Sequence, residues 1–262
     1  MTESEELIAT VDDGGIARLT INRPERMNAL SGGVSLEIRR VLGEWAQRDD
    51  LRVVVLSGSG GSFSAGADIT DIAANAGDAG VDEAGAVAII SNGSDLARAL
   101  RAIRVPVVAA VDGAAVGIGA SLALGADLVY ATNRAYFLFP FVNIGLMPDG
   151  GASMLVAASI GRVRANALLL LGEKFRAAAA FDAGLVTEVL EDAAALSARV
   201  DEVVAKLAAK SPAALRITKA ASDAITMAAF ETALGEEMDG QTRLLQSPEF
   251  RQTLALFTKS DS

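Results

Sequence analysis

The sequence predicts an α/β fold that ends in helices, and three observations carry that prediction. Strand-like and helix-like segments alternate from about residue 17 to residue 190. Several of the strand-like runs are continuously apolar, which suits strands buried on both faces. From Ala193 onward the pattern is almost wholly helical, a C-terminal helical cap or more, whose apolar positions Leu207, Leu215, Ile217, Leu234, Leu244 and Leu245 exceed the needs of a small cap and are expected to serve a subunit interface.

The elements follow in order. ARLTINR (17–23) alternates apolar and polar residues, as a half-buried strand does. After a turn at RPERMNAL, Val34, Ile38, Val41, Leu42 and Trp45 recur at helical spacing. LRVVVLSG (51–58) is a short β-branched run that closes on a glycine, and residues 57–69 form a loop of glycine and serine. Residues 82–103 read as a helix with Ile89, Leu96, Leu100 and Ile103 on one face. PVVAAVDG (106–113) is a second buried strand, followed by a turn and a helix of small residues from Gly117 to Gly125. Strands at 127–132 and 135–140, helices near 150–160, 162–171 and 177–183, and a last strand at 185–190 complete the alternating part. The chain therefore divides into residues 1–190 and a helical region, 191–262, that belongs to the same functional unit.

Composition narrows the chemistry. The 262 residues suit one large α/β domain with a helical appendage, and 51% of them are hydrophobic, enough for a sizeable core and a subunit interface. Lys plus Arg total 23 against 33 for Asp plus Glu, so a formal charge of −10 argues against nucleic acid and anionic membranes as partners. There is no cysteine and no histidine. Disulfides, thiolate metal sites and Ser-His-Asp triads are thereby excluded, and a general base must be Asp, Glu, Lys or Tyr. The acidic start MTESEELIATVDD is not a signal peptide, and charged residues and glycines interrupt the apolar runs, so a cytoplasmic, non-membrane protein is expected.

Two loops follow buried strands and are rich in small residues, FSAGADI (63–69) and DGAAVGIGAS (112–121). They are either tight strand-to-helix turns or a place where backbone N–H groups meet a ligand. Asp149 lies in IGLMPDGGAS between a proline and two glycines, where a carboxylate either caps a helix or handles protons.

The ordered motifs INRPERMNAL, FSAGADI, VDGAAVGIGASLALGADLVYA, FPFVNIGLMPDGGAS and AAAAFDAGLVTEVL resemble the enoyl-CoA hydratase/isomerase family, the crotonase superfamily, over nearly the whole chain. The resemblance implies a spiral of repeated ββα units with a helical C-terminal region used for trimerisation, hence a homotrimer or a dimer of trimers. It implies an acyl-CoA thioester as substrate, with coenzyme A part of that substrate and no separate cofactor or metal. It implies an oxyanion hole made by the backbone N–H groups of Ala67 and of Ile118, the latter following Gly117. Ala65, Ala67, Asp68 and Ile69 match the segment around the CoA adenine and pantetheine, Gly117, Ile118 and Phe141 are further candidates for substrate contact, Arg26 and Arg23 are candidates for the phosphates, and Phe257 and Lys259 match positions near the nucleotide. The two glutamates of a hydratase fall here on Ser121 and Phe141, neither of them acidic. Asp149 matches the acid of family members that shift double bonds, with Phe139, Phe141 and Leu146 expected to raise its pKa. Enoyl-CoA isomerisation is thus expected first, with hydration and acyl-CoA binding without catalysis as alternatives. Glu83 and Asp71 are expected to face solvent, and Asp112 and Asp127 to be structural.

Overall fold

The alternating and apolar runs become the strands of two sheets in the computed structural model, which describes residues 2–4, 6–76 and 80–259, with the side chains of 2–4, 75 and 256–259 outside that description. In chain order the elements are β1 (Thr2–Ser4), β2 (Leu7–Val11), β3 (Ile16–Ile21), α1 (Gly32–Ala46), β4 (Val53–Gly58), α2 (Ile69–Asn75) and α3 (Glu83–Arg101). Next come β5 (Val107–Val111), β6 (Ala114–Val116), α4 (Ile118–Leu124), β7 (Leu128–Thr132), β8 (Tyr136–Leu138), α5 (Ala152–Ile160), α6 (Arg162–Leu171) and β9 (Phe175–Arg176). The chain continues through α7 (Ala177–Ala183), β10 (Glu188–Leu190), α8 (Ala193–Ala208), α9 (Pro212–Thr226), α10 (Phe230–Leu245) and α11 (Pro248–Lys259).

The larger sheet has the order β1-β2-β3-β4-β5-β7-β10, antiparallel through β3 and parallel from there on. Because successive side chains on a strand point to opposite faces, β4 serves two cores. Val54 and Leu56 join Leu19, Val107 and Ala109 on one side, while Val53 and Val55 meet Leu196, Val200, Val203 and Val204 of α8 on the other. That double burial explains the uninterrupted apolar run, and each of these side chains contributes roughly 1.5–3 kcal/mol relative to exposure.

The smaller sheet, β6-β8-β9, is built from the pieces that follow strands of the larger one. β5 leads to β6 and β7 to β8, while β4 leads to Ser64, which bridges Ala115, and to Ala67, which bridges Leu30. This is the repeat of a ββα spiral. β6, β9 and α2 were not separately legible in the sequence: β6 is three residues inside a glycine-rich stretch, and α2 is two turns started by the side chain of Asp68.

The C-terminal helices divide their work. α8 covers the second face of the sheet, α10 packs on α3 and α5, and α11 packs on α2. Leu234 and Leu245, expected to serve a subunit interface, are instead buried inside this chain, and Leu207 packs partly buried against the core under α8. α9 buries no side chain and leaves Ile217 and Ile225 70% and 81% exposed. No helix among the described residues is long and apolar enough to cross a membrane.

Candidate active site

Three loops meet at one cavity because glycines let them approach. Asn28, buried, donates its amide to the Ser59 and Ser62 carbonyls, and Ser64 Oγ–H donates to Asn28 O, so the loop after β4 is fixed to the β3–α1 turn. Gly66 has φ +88°, and a Cβ there would lie 2.6 Å from Val116 O. The third loop arrives through Gly150, φ +64°, whose absent Cβ would sit 2.2 Å from Ile118 Cδ1 and 3.1 Å from Ser121 Cβ. Both positions therefore need glycine, for backbone conformation and for space.

The cavity so formed has a volume of about 670 Å³ and is lined by Ala67, Ile118 and Asp149 together with Leu30, Ile89 and Leu96. Ala67 is exposed to it. Its neighbours are tied to Leu30, with Leu30 N–H donating to Gly66 O at 2.7 Å and Asp68 N–H donating to Leu30 O at 3.0 Å. In such a parallel bridge Ala67's own N–H points away from Leu30 and makes no hydrogen bond among the described residues. Ile118 is the first residue of α4, where an N–H lacks an intrahelical acceptor. Its N–H also makes no hydrogen bond among the described residues. The cavity wall thus carries two unspent backbone donors and, beside them, the carboxylate of Asp149.

That carboxylate is unusual. Asp149 Oδ1 is buried without a hydrogen-bond partner. Burial pushes its pKa up to about 7, the neighbouring Glu237 carboxylate pushes the same way, and a hydrogen bond from Gln241 draws it partly back. The aspartate does not cap α5. The cap position is Gly151, and the amides a cap would serve, Gly151 N–H and Ser153 N–H, donate to Glu237 at 2.8 and 3.0 Å. A group that titrates near neutrality on the wall of an apolar cavity can take and return a proton.

Comparison with known proteins identifies the family. The family model described as enoyl-CoA hydratase/isomerase matches residues 12–260. The chain belongs to the enoyl-CoA hydratase/isomerase family. It is 32% identical to a 1,2-epoxyphenylacetyl-CoA isomerase of Escherichia coli, over 96% of this chain and 95% of that one. It is 30% identical to a 2,3-dehydroadipyl-CoA hydratase of the same organism, over 91% and 90%. An enoyl-CoA hydratase from Mycobacterium avium subsp. paratuberculosis superposes with a TM-score of 0.88 at 39% identity, covering 97% of this chain and 100% of that one.

Within this enoyl-CoA hydratase/isomerase chain, Ser121 and Phe141, which the sequence resemblance matches to hydratase glutamates, both take structural roles. Ser121, buried, donates its Oγ–H to Asp149 O at 2.8 Å and approaches Gly117 O at 3.3 Å, tying α4 to the Asp149 loop. Phe141 is buried against Gly117, its Cζ 3.6 Å from where a Cβ on that glycine would lie, and is not part of the cavity lining.

The remaining sequence candidates separate. Asp68 reaches the cavity wall, yet its carboxylate accepts from Thr70 Oγ1–H at 2.5 Å, from Arg23 at 3.1 Å and from Asp71 N–H at 3.4 Å. Burial pushes Asp68 up, but those bonds outweigh it and hold the carboxyl below its usual range. Arg23 is held by Glu6, Asp68 and Ala29 O and is not a free phosphate ligand. Arg26 is exposed on the Pro24–Arg26 turn and lies outside the cavity lining, whereas Arg39 on α1 lines it and pairs with Asp95 at 2.8 Å. Ala65 is half-buried, and Ile69 packs with the α10–α11 cluster. The side chains of Phe257 and Lys259 lie outside the described ones. Asp71, expected to face solvent, lines the cavity and accepts from Gly32 N–H at 2.9 Å, while Glu83 is exposed. Asp112 pairs with Arg134 and Thr132, and Asp127 with Lys219 and Val107 N–H, both structural roles. Glu237 escaped the sequence reading. Its signal was there: Leu234, Glu237, Gln241 and Leu245 share one face of α10, and a charge on an apolar stripe needs a partner.

Proposed function

We propose that this enzyme shifts the double bond of an enoyl-CoA thioester from the 3,4 to the 2,3 position, with Asp149 as the proton shuttle. The observation that carries the reading is one carboxylate, poised near neutrality, on a cavity wall shared with Ala67 and Ile118, where the hydratase glutamate positions hold Ser121 and Phe141. In this reading the thioester oxygen accepts from the Ala67 and Ile118 N–H groups. Asp149 removes the C2 proton, the electron pair delocalises into a dienolate stabilised by those donors, and the protonated Asp149 returns the proton at C4. The dienolate collapses to the 2-enoyl thioester, and no other reactant is consumed. Donors fixed at a developing oxyanion each contribute a few kcal/mol, and a positioned acid/base contributes roughly 10²–10⁴-fold.

The thioester's coenzyme A would follow the Ala65–Ile69 segment, with Arg26, Phe257 and Lys259 as candidate contacts to its nucleotide and Gly117 shaping the turn under the oxyanion. The exposed Ile217 and Ile225 on α9 support assembly as a trimer or dimer of trimers. Hydratases among the relatives favour hydration as the second reading. It requires one carboxylate to both activate water and protonate C2. A panel of 3-enoyl-CoA and 2-enoyl-CoA substrates, with wild type and Asp149→Asn, separates the two. Isomerisation lost by 10²-fold or more in the variant, with thioester affinity unchanged, is expected. Faster hydration of 2-enoyl-CoA than isomerisation of 3-enoyl-CoA by wild type would overturn the proposal.

A further inference from the structure

Behind Asp149 lies a second buried carboxylate that the chemistry above leaves unused. Glu237, on α10, is fully buried. Its Oε2 accepts from Gly151 N–H at 2.8 Å, and its Oε1 accepts from Ser153 N–H at 3.0 Å and Ser153 Oγ–H at 2.6 Å. One turn along the same helix face, Gln241 Oε1 accepts from Met147 N–H at 3.0 Å, and the same side chain hydrogen-bonds Asp149. A single face of α10 therefore grips the Asp149 loop on both sides of the aspartate.

We propose that Glu237 is a positioning residue for the isomerisation, clamping the turn behind Asp149 so that the aspartate faces the cavity and is the one of the two carboxyls that exchanges a proton. The inference rests on the proposed reaction and assigns the part of the protein that controls it.

The hydrogen bonds divide the two roles. Burial pushes the Glu237 carboxyl above its usual range, but its two oxygens accept three donors, Ser153 Oγ–H, Gly151 N–H and Ser153 N–H, and each of them favours the ionised form. Those donors lie at the start of α5, where unsatisfied N–H groups and the helix dipole both favour an anion. Asp149 Oδ1 has no such donor. Two adjacent carboxylates in a dry site do not both ionise freely, so the proton falls to Asp149. A neutral serine or asparagine cap would satisfy the same amides without the desolvation that a buried charge costs. The carboxylate therefore adds something a cap alone does not, a fixed negative charge beside the base.

Among the described residues the other ionisable groups around this pair are exposed or engaged: Glu231, Glu236, Asp239 and Arg243 of α10 and Glu249 of α11 are exposed. α4 and α5 carry no charged residue. The charged groups on the cavity wall are engaged elsewhere: Arg39 with Asp95, Asp68 with Arg23, Asp71 with Gly32 N–H and Asp82 with Gly85 N–H. Arg101, on α3, pairs with Asp223.

The test compares Glu237→Gln, which removes the charge, with Ser153→Ala, which removes one clamp bond and keeps it. With 3-enoyl-CoA, E237Q is expected to lower kcat at least tenfold with KM within threefold, and to move the acidic limb of the pH profile of kcat/KM to lower pH. S153A is expected to lower kcat about threefold and leave that limb in place. A folded E237Q with wild-type kcat, or with a loss that leaves the limb unmoved, overturns the proposal. If E237Q is not recovered folded, S153A decides: a threefold loss at constant KM supports the clamp, and wild-type kcat overturns it. Should wild type not isomerise at all, the proposed reaction fails instead. The pH dependence of urea unfolding, which needs no substrate, then still reads whether E237Q shifts the titration of Asp149.

Discussion

Asp149→Asn should stabilise the protein at high pH while it removes activity. The carboxyl titrates at about 7 in the folded chain against an ordinary value of 3.8. A difference of about 3 units corresponds to about 4 kcal/mol at about 1.36 kcal/mol per unit. Asp149 keeps some contact with the open cavity, so about 2–4 kcal/mol is the working range. The sign follows from the raised value. Below pH 3.8 the group is neutral in both states and costs nothing. As the pH climbs towards 7 the unfolded chain loses its proton first, and stability falls; above 7 the folded state bears the whole penalty. Asparagine removes that titration and can keep the Gln241 bond through its carbonyl oxygen. Urea unfolding at constant protein concentration from pH 4.5 to 8.5 should show variant and wild type converging at the acid end and separating by about 2–4 kcal/mol at pH 8. Equal stability at pH 8, or a variant weaker throughout, would refute the claim that burial and Glu237 hold this carboxyl up.

The same titration sets the pH profile of turnover: a base must be ionised to remove the C2 proton, so kcat/KM should rise through a midpoint near pH 7. A profile flat from pH 5 to 9 would exclude Asp149 as the base. Ser121→Ala should cost about 1 kcal/mol of stability through loss of the bond to Asp149 O, and should reduce turnover far less than Asp149→Asn. Turnover abolished in S121A but intact in D149N would make the single-aspartate mechanism wrong. Gly150→Ala should destabilise by about 1–3 kcal/mol and depress kcat, because its φ is +64° and the new Cβ meets Ile118 Cδ1 at 2.2 Å. A thermal melt within about 1 °C of wild type would contradict that crowding.

What the sequence made legible follows what each signal encodes. Periodicity encodes burial, so α1, α3, β4 and β5 lie where their apolar spacing puts them. The motif resemblance supplied the spiral and brought Ala67, Ile118 and Asp149 to one cavity, although they are separated by 51 and 31 residues in the chain. Neither signal encodes partner choice. Asp68, Arg23 and Asp71 have charges that sequence alone offers equally to a ligand or to a neighbouring element, and only the fold shows them spent on each other and on helix starts. Leu234 and Leu245 were assigned to an interface for the same reason: an apolar stripe does not say whether its cover is another chain or α3.

Asp149 and Glu237 show the limit most sharply. Locally, PDGG reads as a helix start with its own acid, and the helix does start there, but the acid that serves it comes from α10, 86 residues away from Gly151. That substitution changes the chemistry. Had Asp149 capped α5, its oxygens would have accepted backbone donors, and such bonds favour the ionised form and lower the pKa. With Glu237 taking those donors, Asp149 is left desolvated, short of donors and beside a like charge, each of which favours the proton. The capping and acid/base readings of the sequence are therefore not rivals for one residue. The structure divides them between two carboxylates, and it is the remote cap that leaves the local aspartate able to exchange a proton.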